Sequence, residues 1–327
     1  MSLSRSFSTH GSLLAMLATL VVLSGCKDDW RHKSLSEEGS GSSQIAIIDI
    51  NGPISFASKG LLEGGQDGAS AICRRLRMAE CDDDVKGVIL SLNTPGGDVV
   101  ASDAIAQGVR AVRAKGKPVV ALQTSVSASG GYYIACAADR ILCGKGTITG
   151  SIGVIMVTPE VHDLASKIGV SMNVITSGPH KDSGSPFKTM SEEERALFQG
   201  MINQVYGQFL AVVVDGRKGR GPVPAAADQA MAYLKPLADG RVFTGEDAVA
   251  NGLADVIGHL PEAIDQVKTL AKLDEVTVFR YEENRVIFGI IAENQNKPMQ
   301  VTNGIHIDAG SLLGSRHPTM SFLWQGY

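Results

Sequence analysis

Ser129-Gly130-Gly131-Tyr132-Tyr133 falls where an extended segment gives way to a helical pattern, and a serine there can act as a nucleophile. The glycines beside it leave backbone N–H groups free to hold an oxyanion. A second glycine turn, Asn93-Thr94-Pro95-Gly96-Gly97-Asp98, follows another apolar run. Acyl transfer needs two donors aimed at the developing negative charge, each contributing about 3 kcal/mol to the barrier. Gly97 and Gly130 are the candidate donors. A helix starting just after Ser129 would add its positive end at the same place. Each signal also has a plain reading: paired glycines make tight turns, and a serine before glycine caps helices.

A serine nucleophile needs a base. The histidines after the N-terminal segment are His32, His162, His180, His259, His306 and His317. His162 lies in a helical pattern, "EVHDLASKIGV". Lys181 lies in "ITSGPHKDSGSPF", residues 175–187, a loop dense in glycine, proline and serine that follows an apparent strand. A lysine serves as base when desolvation disfavours its ammonium form. Spacing alone leaves both candidates open, and by spacing Lys181 reads as a surface lysine. No close pair of cysteines marks a metal site, so no metal and no cofactor are expected. Cys73, Cys81, Cys136 and Cys143 are compatible with disulfides or with free thiols.

The elements that must position these residues read as α/β. "IAIIDI" (45–50), "GVILSL" (87–92) and "VVAL" (119–122) are short apolar runs of the buried-strand type. Between the first two, Ile72, Leu76 and Ala79 keep helical spacing. Ile105, Val109 and Val112 do so before Lys117-Pro118 breaks the pattern. The alternation predicts a parallel sheet covered by helices, with both glycine turns at the ends of its strands. Ser191 and Glu194 fit a capping box, and the four-residue recurrence of Leu197, Met201, Val205 and Phe209 predicts a long helix with one buried face.

The 327 residues carry a net charge of -4 and are 44% hydrophobic, enough for a sizeable core and without a general pull toward nucleic acid. Residues 1–25 read as an export signal: Arg5 and His10 precede the apolar stretch Leu13–Leu23, too short to span a bilayer comfortably. Leu23-Ser24-Gly25-Cys26 resembles a bacterial lipobox, making Cys26 the expected lipidated residue, and residues 26–43 then form a polar flexible tether.

Five ordered segments, "NTPGGDVVASDAI", "SASGGYYIACAADRI", "GTITGSIGVI", "SGPHKDSGSPF" and "DGRVFTGEDAVANGLAD", resemble the signal peptide peptidase A family, bacterial membrane-associated serine proteases with a Ser/Lys dyad. The resemblance covers residues 44–270 and leaves 271–327 as a C-terminal extension able to form subunit contacts or a lid. It implies a Clp protease/crotonase-like spiral of β-β-α units. It makes Ser129 the nucleophile, Lys181 the base, Gly97 an oxyanion donor and Ser151 the residue that hydrogen-bonds the lysine; Ser151 also reads as an ordinary loop serine. The 52-residue separation of Ser129 and Lys181 is that of the short, single-repeat members. The resemblance further implies cleaved signal peptides as substrates, membrane anchorage outside the cytoplasm, and an octameric homo-oligomeric ring whose sites join serine and lysine from different chains. Two positions depart from the pattern: Thr94 replaces a usual serine, and Ser127 replaces a usual alanine, which makes Ser127 a possible decoy. Two rival classes share the fold, a crotonase-type acyl-coenzyme A enzyme and a catalytically silent lipoprotein scaffold; export disfavours the first.

Overall fold

The computed structural model describes residues 30–34, 41–57, 67–283 and 320–323. The chain forms two compact units, Met1–Lys33 with Tyr281–Gln300, and Ser34–Arg280 with Val301–Tyr327. Of the first unit, residues 30–33, within strand β1 (Trp30–Ser34), and 281–283 are described, all as strand. Cys26 and the export segment lie outside the described residues.

In the second unit the apolar runs form a sheet whose strands have almost no exposed apolar side chain. β2 (Gln44–Asn51) pairs in parallel with β3 (Val85–Thr94), and β3 with β5 (Val119–Ala128). β6 (Arg140–Cys143) and β10 (Val256–Ile257) extend one edge, and β11 (Thr277–Glu283) adds beside β2, all parallel. β11 thus brings part of the C-terminal extension into the main sheet. Strands covered on both faces lose the polar-apolar alternation of half-exposed strands, which is why 45–50 and 87–92 read as unbroken apolar runs.

Helices cover both faces. α1 (Ala69–Cys81) buries Ile72, Leu76 and Ala79, and α2 (Val99–Ala114) buries Ile105, Val109 and Val112, the residues whose spacing predicts each helix. On the other side α8 (Leu260–Ala271) sets Ala263 and Val267 against Ile45, Ile47, Ile89, Val120, Leu122 and Leu142. Each such fully buried aliphatic side chain contributes about 1.5–3 kcal/mol.

The sheet forks along β5. Val120–Gln123 pair with β6, whereas Val126–Ala128 pair with β7 (Ile148–Gly150), which turns back antiparallel to β9 (Val242–Thr244). At the fork β4 (Gly96–Asp98) leaves β3 to join a small antiparallel sheet of order β4-β12-β8, built with β8 (Ile155–Met156) and β12 (Met320–Leu323). Two strands in succession, β3 and β4, precede α2 and give the β-β-α pattern implied by the resemblance, whereas α3 follows β5 alone and α8 follows β10 alone.

Two expectations change. No strand precedes the loop at 175–187: residues 170–176 are irregular and exposed, and no strand among the described residues pairs with them. The long helix, α5 (Glu192–Arg217), has the predicted capping box, with the Glu194 N–H donating to Ser191 Oγ (3.2 Å) and the Ser191 N–H to Glu194 Oε2 (2.9 Å). Its apolar face is buried only in the C-terminal half: Val205 and Phe209 are inside, but Leu197 and Met201 are 46% and 40% exposed. Among the described residues α5 is also the one helix long and apolar enough to cross a membrane by length and composition. Phe209, Leu210, Val213 and Val214 instead join it to the protein core.

Candidate active site

The end of β5 is fastened before the chain turns. Ala128 is in register with Gly150 of β7, and the Ser129 N–H donates to the Gly150 carbonyl (2.8 Å). Ser129 itself has φ 52° and ψ -112°, a left-handed conformation that costs a non-glycine residue of order 1–3 kcal/mol. The chain then enters α3 (Gly130–Ala135), every residue of which is buried. This sharp strand-to-helix reversal is the geometry that projects a nucleophilic serine from the end of a sheet. α3 has only six residues, so the helix dipole adds less here than a full-length helix would.

The two tyrosines after the glycines hold this turn. The Tyr132 hydroxyl donates to the Leu253 carbonyl (2.8 Å), and the Tyr133 hydroxyl to Asp103 Oδ1 (2.7 Å) on α2. Burial pushes both phenols above their ordinary range, so both remain neutral donors. Leu253 is braced in turn, since buried Arg217 donates to the Gly252 carbonyl (2.7 Å) and pairs with Asp255 (3.0 Å). The positioning role of Tyr132 and Tyr133 had no signal in the sequence, because their partners lie 121 and 30 residues away.

The second glycine turn meets the first because β3 and β5 are neighbours, with Thr94 opposite Ser127. The Gly96 N–H donates to Thr94 Oγ1 (3.1 Å), so it is already committed. Gly97 runs beside Ile54: the Ile54 N–H donates to the Gly96 carbonyl (2.7 Å) and the Asp98 N–H to the Ile54 carbonyl (2.8 Å). A Cβ on Gly97 would lie 2.1 Å from the Ile54 carbonyl oxygen, and one on Gly96, at φ 96°, would lie 2.6 Å from the Gly130 nitrogen. A Cβ on Gly130 would lie 3.2 Å from the Gly97 nitrogen. The two candidate donors therefore flank one small space, and any side chain there would fill it. As the first residue of a helix, Gly130 has no intrahelical acceptor for its N–H.

Ser151 occupies the same corner, one residue past the carbonyl that holds Ser129. It is buried, has φ 49°, and its N–H donates to the Arg241 carbonyl (2.8 Å). Ser127 points into the interior with no exposure and no partner for its hydroxyl. His162 is exposed, and its Nδ1 is 3.2 Å from the Asp163 carboxylate.

Lys181 is exposed whereas Ser129 is buried, and among the described residues the Lys181 ammonium group makes no hydrogen bond or ion pair, with Ser129 or with any other residue. Its loop is nevertheless held. Lys188 Nζ lies 2.7 Å from both Asp182 Oδ1 and Glu194 Oε1, which raises the Lys188 ammonium above its usual range and keeps it charged. The Lys188 ammonium and the Ser191 N–H hold Glu194 down to about 2 from an ordinary 4.5. Because the folded value lies below the unfolded one, this clamp stabilises the fold above pH 4.5 and fades as pH falls from 4.5 toward 2. Glu194→Gln should remove that acid limb from the thermal midpoint measured against pH, while wild type keeps it.

All four described cysteines are free. Burial pushes the Cys136 thiol to about 12 and the Cys143 thiol to about 11, whereas Cys81 is exposed. A maleimide added to the native protein at neutral pH should therefore modify Cys81 and spare Cys136 and Cys143, and peptide mapping reads this directly. No group of metal-ligating side chains occurs among the described residues. A cavity of ≈ 810 Å³ lined by Gln123, Thr147, His259 and Arg280 touches neither Ser129 nor either donor glycine.

A forked parallel sheet with a left-handed serine turn facing paired glycines defines a Clp protease-like α/β fold, and the Clp protease profile matches residues 63–143. The profile of Peptidase family S49 matches residues 111–274, half of the chain. The chain belongs to peptidase family S49 and is a serine peptidase. It is 34% identical, over 77% of its length and 71% of the relative's, to an Enterococcus faecium protein bearing the name signal peptide peptidase SppA. It is 38% identical to a Methanocaldococcus jannaschii protein named as a protease, over 64% of this chain and 65% of that one. Protease 4 of Salmonella typhi is 34% identical over 80% of this chain, which spans 40% of that longer protein.

Proposed function

We propose that this protein is a membrane-associated endopeptidase that cleaves remnant signal peptides, and other extended hydrophobic peptides, through a Ser129/Lys181 dyad. The observation that carries the reading is the strained Ser129 turn beside the Gly97 and Gly130 backbone nitrogens. Neutral Lys181 takes the Ser129 Oγ proton, the alkoxide attacks the peptide carbonyl, and the two glycine N–H groups hold the oxyanion. Lys181 then protonates the leaving amine, and water attacks the acyl-enzyme with the same lysine as base. Ser151 orients the lysine. The substrate class follows the name of the Enterococcus relative, and diacylation of Cys26 anchors the exported catalytic domain to the membrane.

The site is completed by a second copy of the chain, in a ring that we take to be octameric. Lys181 lies on a stretch whose apolar side chains face solvent, among them Ile168, Met172, Val174 and Ile175, the last 99% exposed. Contiguous exposed apolar surface of this kind marks a protein interface. Burial there would desolvate Lys181 and carry it to a neighbour's Ser129.

Complementation tests the dyad and its sharing together. Neither Ser129→Ala nor Lys181→Ala chains alone should hydrolyse peptides or take up a fluorophosphonate probe. An equal mixture refolded together should recover about a quarter of wild-type sites, those where each neighbour supplies its intact member. Recovery at the background of the separate mutants would refute the shared site, and full activity of Lys181→Ala would refute the lysine base.

A further inference from the structure

Arg217, the last residue of α5, is 1% exposed, a rare place for a guanidinium. Its Nε donates to the Gly252 carbonyl (2.7 Å), and its two terminal nitrogens donate to the two Asp255 carboxylate oxygens (3.1 and 3.0 Å). Asp255 Oδ2 also accepts the Ile141 N–H of β6 (2.7 Å), and the Asp255 N–H donates to the Ile141 carbonyl (2.8 Å). Between these two residues the Leu253 N–H donates to the Ala248 carbonyl (2.7 Å). The turn 252–255 is therefore fixed to α5 on one side and to the sheet edge on the other. The last turn of α5 also presses on α3: a Cβ on Gly216 would lie 2.2 Å from the carbonyl oxygen of Cys136, the residue that ends α3.

A buried ion pair adds little to net stability, because desolvation offsets the attraction, and apolar residues of similar volume hold a core as well. What this pair supplies is direction. It fixes the strand of backbone whose Leu253 carbonyl accepts the hydroxyl of Tyr132 (2.8 Å), a side chain with no exposure. Tyr132 lies in α3, three residues after Ser129, and a helix of six residues has too few internal bonds to keep its own orientation. The left-handed backbone of Ser129, at φ 52°, persists only where its surroundings over-determine it. On the sheet side that constraint is the bond to the Gly150 carbonyl; on the helix side it includes Tyr132.

We propose that the Arg217–Asp255 pair is a positioning device for the nucleophile. Through Gly252, Leu253 and the Tyr132 hydroxyl it holds the Ser129 turn in its strained form, and so sets the rate of acylation rather than the stability of the fold. Neither residue touches substrate. The inference rests on Ser129 being the nucleophile.

The test compares wild type with Arg217→Met/Asp255→Asn. The double change removes both charges together, so no ion is left unpaired, and the asparagine carbonyl oxygen still accepts the Ile141 N–H. The thermal midpoint should stay close to that of wild type. Both kcat and the rate of fluorophosphonate labelling should fall ~10–100-fold with KM little changed, since misplacement of a reacting group by about 1 Å costs about 10²-fold. Tyr132→Phe should show a loss of the same size, and the triple variant should lose no more than either, because both changes break one line of contacts. Arg217→Lys keeps the charge beside Asp255 but lacks the planar fork that also reaches the Gly252 carbonyl. It should fold and label more slowly than wild type, which keeps the question open to measurement if the double variant does not fold. Labelling at the wild-type rate in the double variant or in Arg217→Lys, losses that multiply in the triple variant, or a loss that follows the unfolded fraction would each overturn the positioning role. Wild type that fails to label would instead overturn the nucleophile itself, and the inference with it.

Discussion

Ser129→Ala lowers peptide hydrolysis by about 10⁶-fold, on the scale seen when a serine peptidase loses its nucleophile, and abolishes fluorophosphonate labelling. The fold persists, because the turn is held by the Ser129 backbone and by the two tyrosines rather than by the serine hydroxyl. Ser127→Ala is the matched control. That hydroxyl is buried without a partner, so its removal relieves an unsatisfied group and leaves most activity and full stability. Turnover by wild type and both variants, each with its thermal midpoint, checks this; an adduct mapped to Ser127 would reverse the assignment.

Gly97→Ala produces the second large loss, by crowding. The new methyl would stand 2.1 Å from the Ile54 carbonyl oxygen and 2.6 Å from the Ile54 nitrogen, both backbone atoms with little freedom to yield. The bridge between residue 54 and β4 must open, and the Gly97 N–H moves with it. Loss of one oxyanion donor costs about 10²–10³ in kcat, and the opened bridge lowers the thermal midpoint as well. Gly116→Ala separates crowding from conformation: Gly116 has φ 77°, but a Cβ there meets nothing within 4 Å. It should therefore cost stability alone. Equal turnover in Gly97→Ala and wild type would remove Gly97 from the site.

Much of this arrangement is legible in the sequence because its causes are local. The runs 45–50, 87–92 and 119–122 become adjacent parallel strands, and with the order of the strands set, the two glycine turns must emerge together. Where the causes are distant, the sequence says less. The four-residue spacing of Leu197 and Met201 marks a face but does not say what covers it, and among the described residues both stay largely exposed. The apolar stretch before the Lys181 loop has strand composition, yet a strand needs a partner strand for its backbone, and among the described residues it has none. The same applies to Phe322: an aromatic residue in an otherwise unassigned tail gives no hint that it fits between Tyr133 and Phe209. Thr94 shows the converse. A departure from the resembled pattern keeps its hydroxyl, and that hydroxyl fixes the Gly96 N–H.

The backbone at Ser129 also restricts which hydroxyl could ever serve in its place. Threonine would offer the same oxygen, but a β-branched residue at φ 52° is a steric outlier. Cysteine, unbranched, would fit the turn and exchange oxygen for sulfur. The bend between strand and helix thus admits a thiol more readily than a secondary alcohol, and a Ser129→Thr chain would have to unwind the start of α3 to present its hydroxyl at all.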